Sequence, residues 1–257
     1  MEAVNCGVLI DSVLDEPIQN ARLLINDGKI TEIGPVDAIP IDESTTVIDH
    51  GDDIVIPGLI DAHAHLAGWR SSDPADWLHL GRAQGAARAT NDLQSLLEAG
   101  FTTIRDVGSR TGLGLRAAVE EDEISGPRIF TSGLGLTQSA GHEDIHHMPH
   151  DWVSKSGTHL ATLADGEDEC RKETRKRIRK GVDLIKIQTG GGVHSEKGEP
   201  HHVQFTEVEI GAITQEAHRV DIPVAAHAQH KSSVKHALRN GVDTIEHGID
   251  IDQECID

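Results

Sequence analysis

Seventeen histidines in a chain of 257 residues matter most where they fall at the ends of apolar runs. In PGLIDAHAHL at 57–66, His63 and His65 are separated by one residue. Alternate residues of a β-strand share a face, so both imidazoles point the same way. Two nitrogen ligands placed like that suit one divalent ion. Lys186 sits inside Leu184-Ile185-Lys186-Ile187-Gln188. A lysine within a central strand is costly unless it is paired or neutral. It reads either as a strand-end lysine reaching solvent or as a neutral amine that captures CO2. The resulting carbamate would bridge two metals through its two oxygens, and burial favours it by lowering the lysine pKa. His227 follows Val224-Ala225-Ala226, and His247 follows Thr244-Ile245-Glu246. One such histidine could be a hydrogen-bonded core residue. Four histidines and a lysine at the ends of predicted strands point to a metal centre.

The elements that must position them follow from the pattern of apolar residues. Residues 1–53 read as β structure, with runs at 21–25 and 29–33 flanking the hairpin signal Asn26-Asp27-Gly28 and a further strand at 45–49. From residue 54 short apolar runs alternate with helical stretches. Strands are predicted at 54–60, 101–107, 128–131, 182–187, 222–226 and 242–245, and helices at 77–99, 167–180, 206–220 and 232–240. Gly100, Gly181 and Gly241 each stand between a helix and a strand, where a C-terminal cap is expected. The fold class is therefore α/β, built of parallel βα units. Domain organisation reads as a β segment at 1–53 followed by 54–257. The His-rich stretch 134–166 breaks the rhythm and reads as an insertion over the site.

Composition removes several classes of function. The chain has 43 acidic side chains against 23 Lys and Arg, a formal net charge of -20. Nucleic acid binding needs clustered basic residues and is excluded as an expectation. Docking on an anionic membrane is disfavoured for the same reason. The acid excess, nine Lys and near absence of large aromatics (three Phe, three Trp, no Tyr) read as adaptation to high salt, where screening relieves self-repulsion. Cys6, Cys170 and Cys255 form neither a disulfide framework nor zinc-finger spacing, and no leader sequence is evident at the N-terminus. A reducing cytoplasm is the expected compartment.

Taken together, PGLIDAHAHL at 57–66, GFTTIRDVG at 100–108, SAGHED at 139–144, IKIQTGGGV at 185–193, VAAHA at 224–228 and TIEHG at 244–248 resemble the metal-dependent amidohydrolase superfamily, in its Xaa-Pro dipeptidase (prolidase)-like and imidazolonepropionase-like branch. The resemblance implies a distorted TIM (β/α)8 barrel beside a small β-sandwich, and one or two divalent metal ions, usually zinc. It implies that His63 and His65 bind the more buried metal, that Lys186 bridges as an N-carboxylated lysine, and that His227 and His247 hold the second metal. His142 matches a family position near the substrate carbonyl, where it would stabilise a developing oxyanion. The implied reaction is hydrolysis of an amide, dipeptide or cyclic-amide C–N bond by metal-activated water. The partner is thus a small-molecule amide or dipeptide, and the resemblance allows a homo-oligomer.

Two departures from the family pattern shape the expectation. Relatives supply a last metal-binding Asp from the eighth barrel strand. Here Asp250 and Asp252 follow His247 too closely for that role, so an incomplete barrel of about six βα units is expected. Gln229 stands where relatives often place an aromatic residue or another histidine. Arg105-Asp106 reads as an internal ion pair supporting the barrel. His146, His147, His150, His194, His201 and His202 read as solvated loop residues. Gly190-Gly191-Gly192 lacks the Lys-Ser/Thr sequel of a phosphate loop and reads as room for close backbone approach. The alternative to an active hydrolase is an inactive truncated amidohydrolase fragment retaining a partial metal site. A dinucleotide-binding domain is a weaker reading, since no GxGxxG follows the first βα strand.

Overall fold

The computed structural model describes residues 1–257 apart from 72, 74–76, 78, 194, 196 and 197. It divides into two compact units, Met1–Leu59 and Ile60–Asp257. In the first, β2 (Ile18–Asn26) and β3 (Lys29–Pro35) pair antiparallel, with Asn26 opposite Lys29. The turn between them has Asp27 at φ 51° and Gly28 at φ 72°, the left-handed pair that a two-residue hairpin requires. β1 (Glu2–Leu9) lies antiparallel to β2 and parallel to β4 (Thr46–Asp49), which gives the order β3-β2-β1-β4.

The apolar run 54–60 is not one strand. Ile54 and Val55 form β5, parallel to β1, and β6 (Leu59–Ala64) begins only after Pro57-Gly58. Proline has no N–H to donate to a ladder, so pairing stops there. The division between the units therefore falls after Leu59, later than the change of pattern at 53/54.

The second unit carries two sheets. One has the order β6-β7-β8, with β7 at Phe101–Asp106 and β8 at Arg128–Thr131. The other joins β9 (Gly135–Thr137), β10 (Ala161–Leu163), β11 (Ile185–Gln188), β12 (Val224–His230) and β13 (Thr244–Asp250) in the order β10-β9-β11-β12-β13. Every ladder in it is parallel. Asp183 ties the two sheets together: its N–H donates to the Thr131 carbonyl at 2.9 Å, and its carboxylate accepts from the Thr131 N–H at 2.8 Å. The stretch 134–166, expected as an insertion, contains β9 and β10 and so belongs to the sheet.

The helices are α1 (Arg82–Glu98), α2 (Gly112–Glu120), α3 (His150–Ser156), α4 (Glu167–Arg179), α5 (Glu207–His218), α6 (Lys231–Arg239) and α7 (Gln253–Ile256). The predicted helix 77–99 is broken at Leu80-Gly81: Trp77 and His79 are helical, residue 78 lies outside the described residues, and α1 begins at Arg82. The sequence pattern missed α2, which is short and contains Gly112 and Gly114. Two local reasons for helix formation are plain. In α4, Glu167, Asp168 and Glu169 occupy the first turn and Lys176, Arg177 and Arg179 the last, matching the helix dipole. At the start of α5, Thr206 and Glu209 form a reciprocal capping box. The two helices are clasped by Glu216, which accepts from Arg171 and Arg175 at 2.8 Å each. Gly181 and Gly241 end their helices at φ 74° and 85°, a region that other residues enter at a cost.

Strand parity sorts core from site. Ile185 and Ile187 of β11, and Val224 and Ala226 of β12, pack into the main apolar cluster with Ile210, Ile213 and Ala217 of α5. The residues between them, Lys186, Gln188, His227 and Gln229, line a cavity instead. Alternation on a parallel strand dictates this split. Among the described residues no helix is long and apolar enough to cross a membrane.

Candidate metal centre

The cavity has a volume of about 780 Å³ and is lined by His63, His65, His142, Glu143, Lys186, Gln188, His227, Gln229 and His247, with a wall of apolar and aromatic residues. All six site residues expected from the sequence thus meet in one place. Their rings form a chain of contacts. Centroids lie 5.2 Å apart for His63–His65, 4.7 Å for His63–His247, 4.6 Å for His227–His247 and 4.1 Å for His142–His227.

Three of the four candidate ligand histidines have one nitrogen occupied by an acceptor. His63 Nδ1–H donates to Glu246 Oε2 at 2.7 Å, His65 Nδ1–H to the Gly108 carbonyl at 2.9 Å, and His227 Nε2–H to the Gly191 carbonyl at 3.2 Å. Such bonds select the tautomer and leave the other nitrogen with its lone pair. Burial, reinforced by neighbouring His63 and by Lys186, lowers the pKa of His65 and of His247 to about 4. His227 is lowered further, by burial and then by His142. At neutral pH these rings are uncharged, as ligands must be.

Lys186 is 2% exposed, and among the described residues its Nζ has no hydrogen-bond partner. Desolvation lowers its pKa to about 7, with Glu246 acting in the opposite sense and Arg105 in the same one. This excludes the reading in which the lysine reaches solvent. No group of three His, Cys, Asp or Glu side chains among the described residues stands in a formed metal geometry. The donor set fits a divalent ion nonetheless. Imidazoles with spare lone pairs and an orphaned buried amine surround one cavity, a set that suits zinc.

Three features were not read from the sequence. Glu246 is 3% exposed and bridges His63 to Arg105, whose Nη2 lies 2.5 Å from Oε1. The sequence does not mark it, because Glu246 and His247 are consecutive and regular alternation would send them to opposite faces. His247 has φ 76°, a left-handed conformation rare outside glycine; its ring lines the cavity while Glu246 reaches His63. Glu143, at φ 73°, is the second. Burial raises its pKa to about 7, opposed by Lys186. The third is the arrangement around His142, whose Nδ1 shares a 2.7 Å hydrogen bond with Ser195 Oγ. A Cβ on Gly192 would lie 2.5 Å from its ring, so this glycine permits close approach, as expected of the run.

Arg105 and Asp106 do not pair with each other. They face opposite sides of β7: Arg105 takes Glu246 and the Ala62 carbonyl, while Asp106 accepts from Thr131 Oγ1 and Ser109 Oγ. Of the loop histidines, His146 is a correction. Its side chain is 10% exposed, with Asp144 at 3.8 Å, whereas His147, His201 and His202 are exposed, as is His150, which opens α3 rather than lying in a loop. His194 lies outside the described residues.

The chain is similar to several known proteins. Ochratoxinase of Aspergillus niger is 32% identical over 253 residues, covering 93% of this chain and 52% of that protein. Its crystal structure superposes with a TM-score of 0.90 over 99% of this chain and 61% of that one, at 31% identity. A prolidase crystallised with N-methylphosphonate-L-proline gives 0.89 at 31% identity, over 99% and 62%. Imidazolonepropionase of Pseudomonas putida is 23% identical over 84% of this chain and 56% of its own length. The chain spans about half the length of the curated relatives it matches. Residues 54–253 match the amidohydrolase family along their whole extent, and with the histidine cluster and the parallel sheets this makes the chain a member of that family.

Proposed function

We propose that this chain carries the metal centre of a hydrolase that cleaves the C–N bond of a small amide, dipeptide or cyclic amide. The observation that carries the reading is Lys186, a buried amine without a partner among the described residues, set in one cavity with five imidazoles. Its scaffold is an incomplete (β/α)8-type barrel of about six βα units, preceded by part of a composite β-sandwich.

His63 and His65 would hold one zinc ion, and His227 and His247 a second, with Lys186 between them. Such an ion, when bound, polarises a carbonyl and makes water nucleophilic near neutral pH. Glu246 fixes the His63 ring, and Gly108 fixes that of His65. Burial lowers the Lys186 pKa to about 7, so that a large share of the amine is neutral at pH 7 and forms an N–C bond with CO2, releasing a proton and leaving a carbamate with two donor oxygens. The His142 ring, held against His227, donates a hydrogen bond to the substrate oxygen as negative charge builds there. A reducing, saline cytoplasm is the compartment proposed, on the -20 charge and the three cysteines.

Metal analysis of the purified protein after loading with zinc, together with hydrolysis of Xaa-Pro dipeptides, N-acyl amino acids and lactams, tests the reading. One or two zinc ions per chain and turnover of one of these classes are expected, both lost in Lys186→Ala. Stoichiometric zinc without cleavage of any class would overturn the assigned activity, and absence of zinc would overturn the centre itself.

A further inference from the structure

Aromatic residues are scarce in this chain, and their distribution is uneven. It has three Trp, three Phe and no Tyr in 257 residues. Among the described residues, none of the buried apolar clusters contains a tryptophan. Trp152 is 64% exposed on the surface. The other two, Trp69 and Trp77, line the same cavity as the histidines. Their rings stack face to face, with centroids 4.1 Å apart and planes 9° from parallel. The packing that elsewhere recruits tryptophan to cores is not what these two serve.

The stack is built to hold its position. Trp77 Nε1–H donates to the Ser71 carbonyl at 2.7 Å, and Trp69 meets the edge of His159 at 6.4 Å. Trp69 also stands beside the metal centre, its ring 6.1 Å from that of His65 and tilted by 33°. The Trp69 indole N–H is buried and has no hydrogen-bond partner among the described residues, a costly state for a donor. Arg70 cannot serve as a free cation here, since Asp92 holds it at 2.7 Å and 3.0 Å. Leu160, Val193 and Ile249 continue the apolar lining. A cavity of about 780 Å³ lies within the ~300–1,000 Å³ range of pockets that enclose drug-sized ligands.

From this placement we infer that Trp69 and Trp77 form an aromatic subsite, which selects amide substrates bearing a planar ring next to the scissile C–N bond. The ring packs against the indole pair, and the Trp69 N–H donates to a polar atom of the ring-bearing group. This deepens the hydrolase reading by naming the substrate class, and its binding part does not depend on turnover.

The chain supplies its own reporter. In a Trp152→Phe background, Trp69 and Trp77 are the sole tryptophans, and their fluorescence reads occupancy of the subsite directly. Titration with N-benzoylglycine and with N-acetylglycine, which share a scissile bond and differ in the ring, is the experiment. N-benzoylglycine is expected to quench saturably and to bind at least tenfold more tightly than N-acetylglycine. Trp69→Leu and Trp77→Leu should each erase most of that preference, while Trp69→Phe and Trp77→Phe, which keep a ring, restore part of it. Circular dichroism melts of each variant separate loss of the subsite from loss of the fold. Equal affinity for the two ligands, no saturable quenching by either, or an unchanged preference in folded leucine variants would overturn the inference. Ring-selective binding without hydrolysis would leave the subsite standing and count against the hydrolase reading alone.

Discussion

Replacing Glu246 tests the structural logic of the site most sharply, because the carboxylate supports the fold and His63, a proposed metal ligand, at once. It is 3% exposed and accepts from His63 at 2.7 Å and from Arg105 at 2.5 Å. Glu246→Ala leaves a cation without its partner in a largely enclosed place, a change that costs ~3–5 kcal/mol for a fully buried pair. Arg105 is a quarter exposed and keeps the Ala62 carbonyl at 2.7 Å, so the lower end, about 3 kcal/mol, is expected. For a domain of this size that lowers Tm by roughly 6–12 °C. The second effect is on the metal. Without its acceptor His63 is free to rotate and change tautomer, and loss of such a partner weakens metal affinity by about 10–100-fold. Glu246→Gln keeps the shape and one acceptor but presents an N–H to a donor, so both losses should be intermediate. Thermal melts of metal-free protein and zinc titration by calorimetry measure the two effects separately. Zinc affinity within twofold of the parent in Glu246→Ala would refute the positioning of His63 by this carboxylate, and an unchanged Tm would refute the buried pair.

Further outcomes follow from other residues. Gly192→Ala would place a Cβ 2.5 Å from the His142 ring, so it should cut kcat at least tenfold while zinc binding persists. Loss of zinc as well would mean that the ring is part of the metal set. Glu216 is held at a pKa of about 2 by hydrogen bonds from Arg175 and Arg171. Its folded value lies below the unfolded one, so its contribution is present above pH ~4.5 and fades as pH falls toward about 2. Glu216→Gln should lower Tm at pH 7 and flatten the acid limb of a Tm–pH curve, and a variant with the parent's curve would contradict the clasp between α4 and α5. With a net charge of -20, Tm should climb as KCl rises from 0.1 M to 2 M, because the Debye length shrinks from ~10 Å to below ~3 Å. A flat or falling Tm would count against salt adaptation.

Much of this protein was legible along the chain. Residue type and period were enough to bring His63 and His65 to one face, to mark Lys186 as anomalous in an apolar strand, and to put His227 and His247 on strands, although β12 and β13 each run three residues past the histidine expected at the end. These are local facts, since a strand alternates its side chains wherever it sits. The hairpin at Asn26-Asp27-Gly28 and the caps at Gly181 and Gly241 are legible for the same reason. The tertiary structure decided what depends on neighbours distant in sequence. Glu246 reaches His63 across 183 residues, and a left-handed turn at His247 makes that contact compatible with a ligand at the next position. Whether Arg105 meets Asp106 or Glu246 depends on which strand lies opposite. The fate of Ile54 depends on pairing with β1. The two tryptophans, eight positions apart and outside any apolar period, become a wall only when the chain folds back beside His65. A sequence carries its periods and propensities openly, but the partner that satisfies a buried charge or leaves an indole N–H unpaired exists only once packing has chosen it.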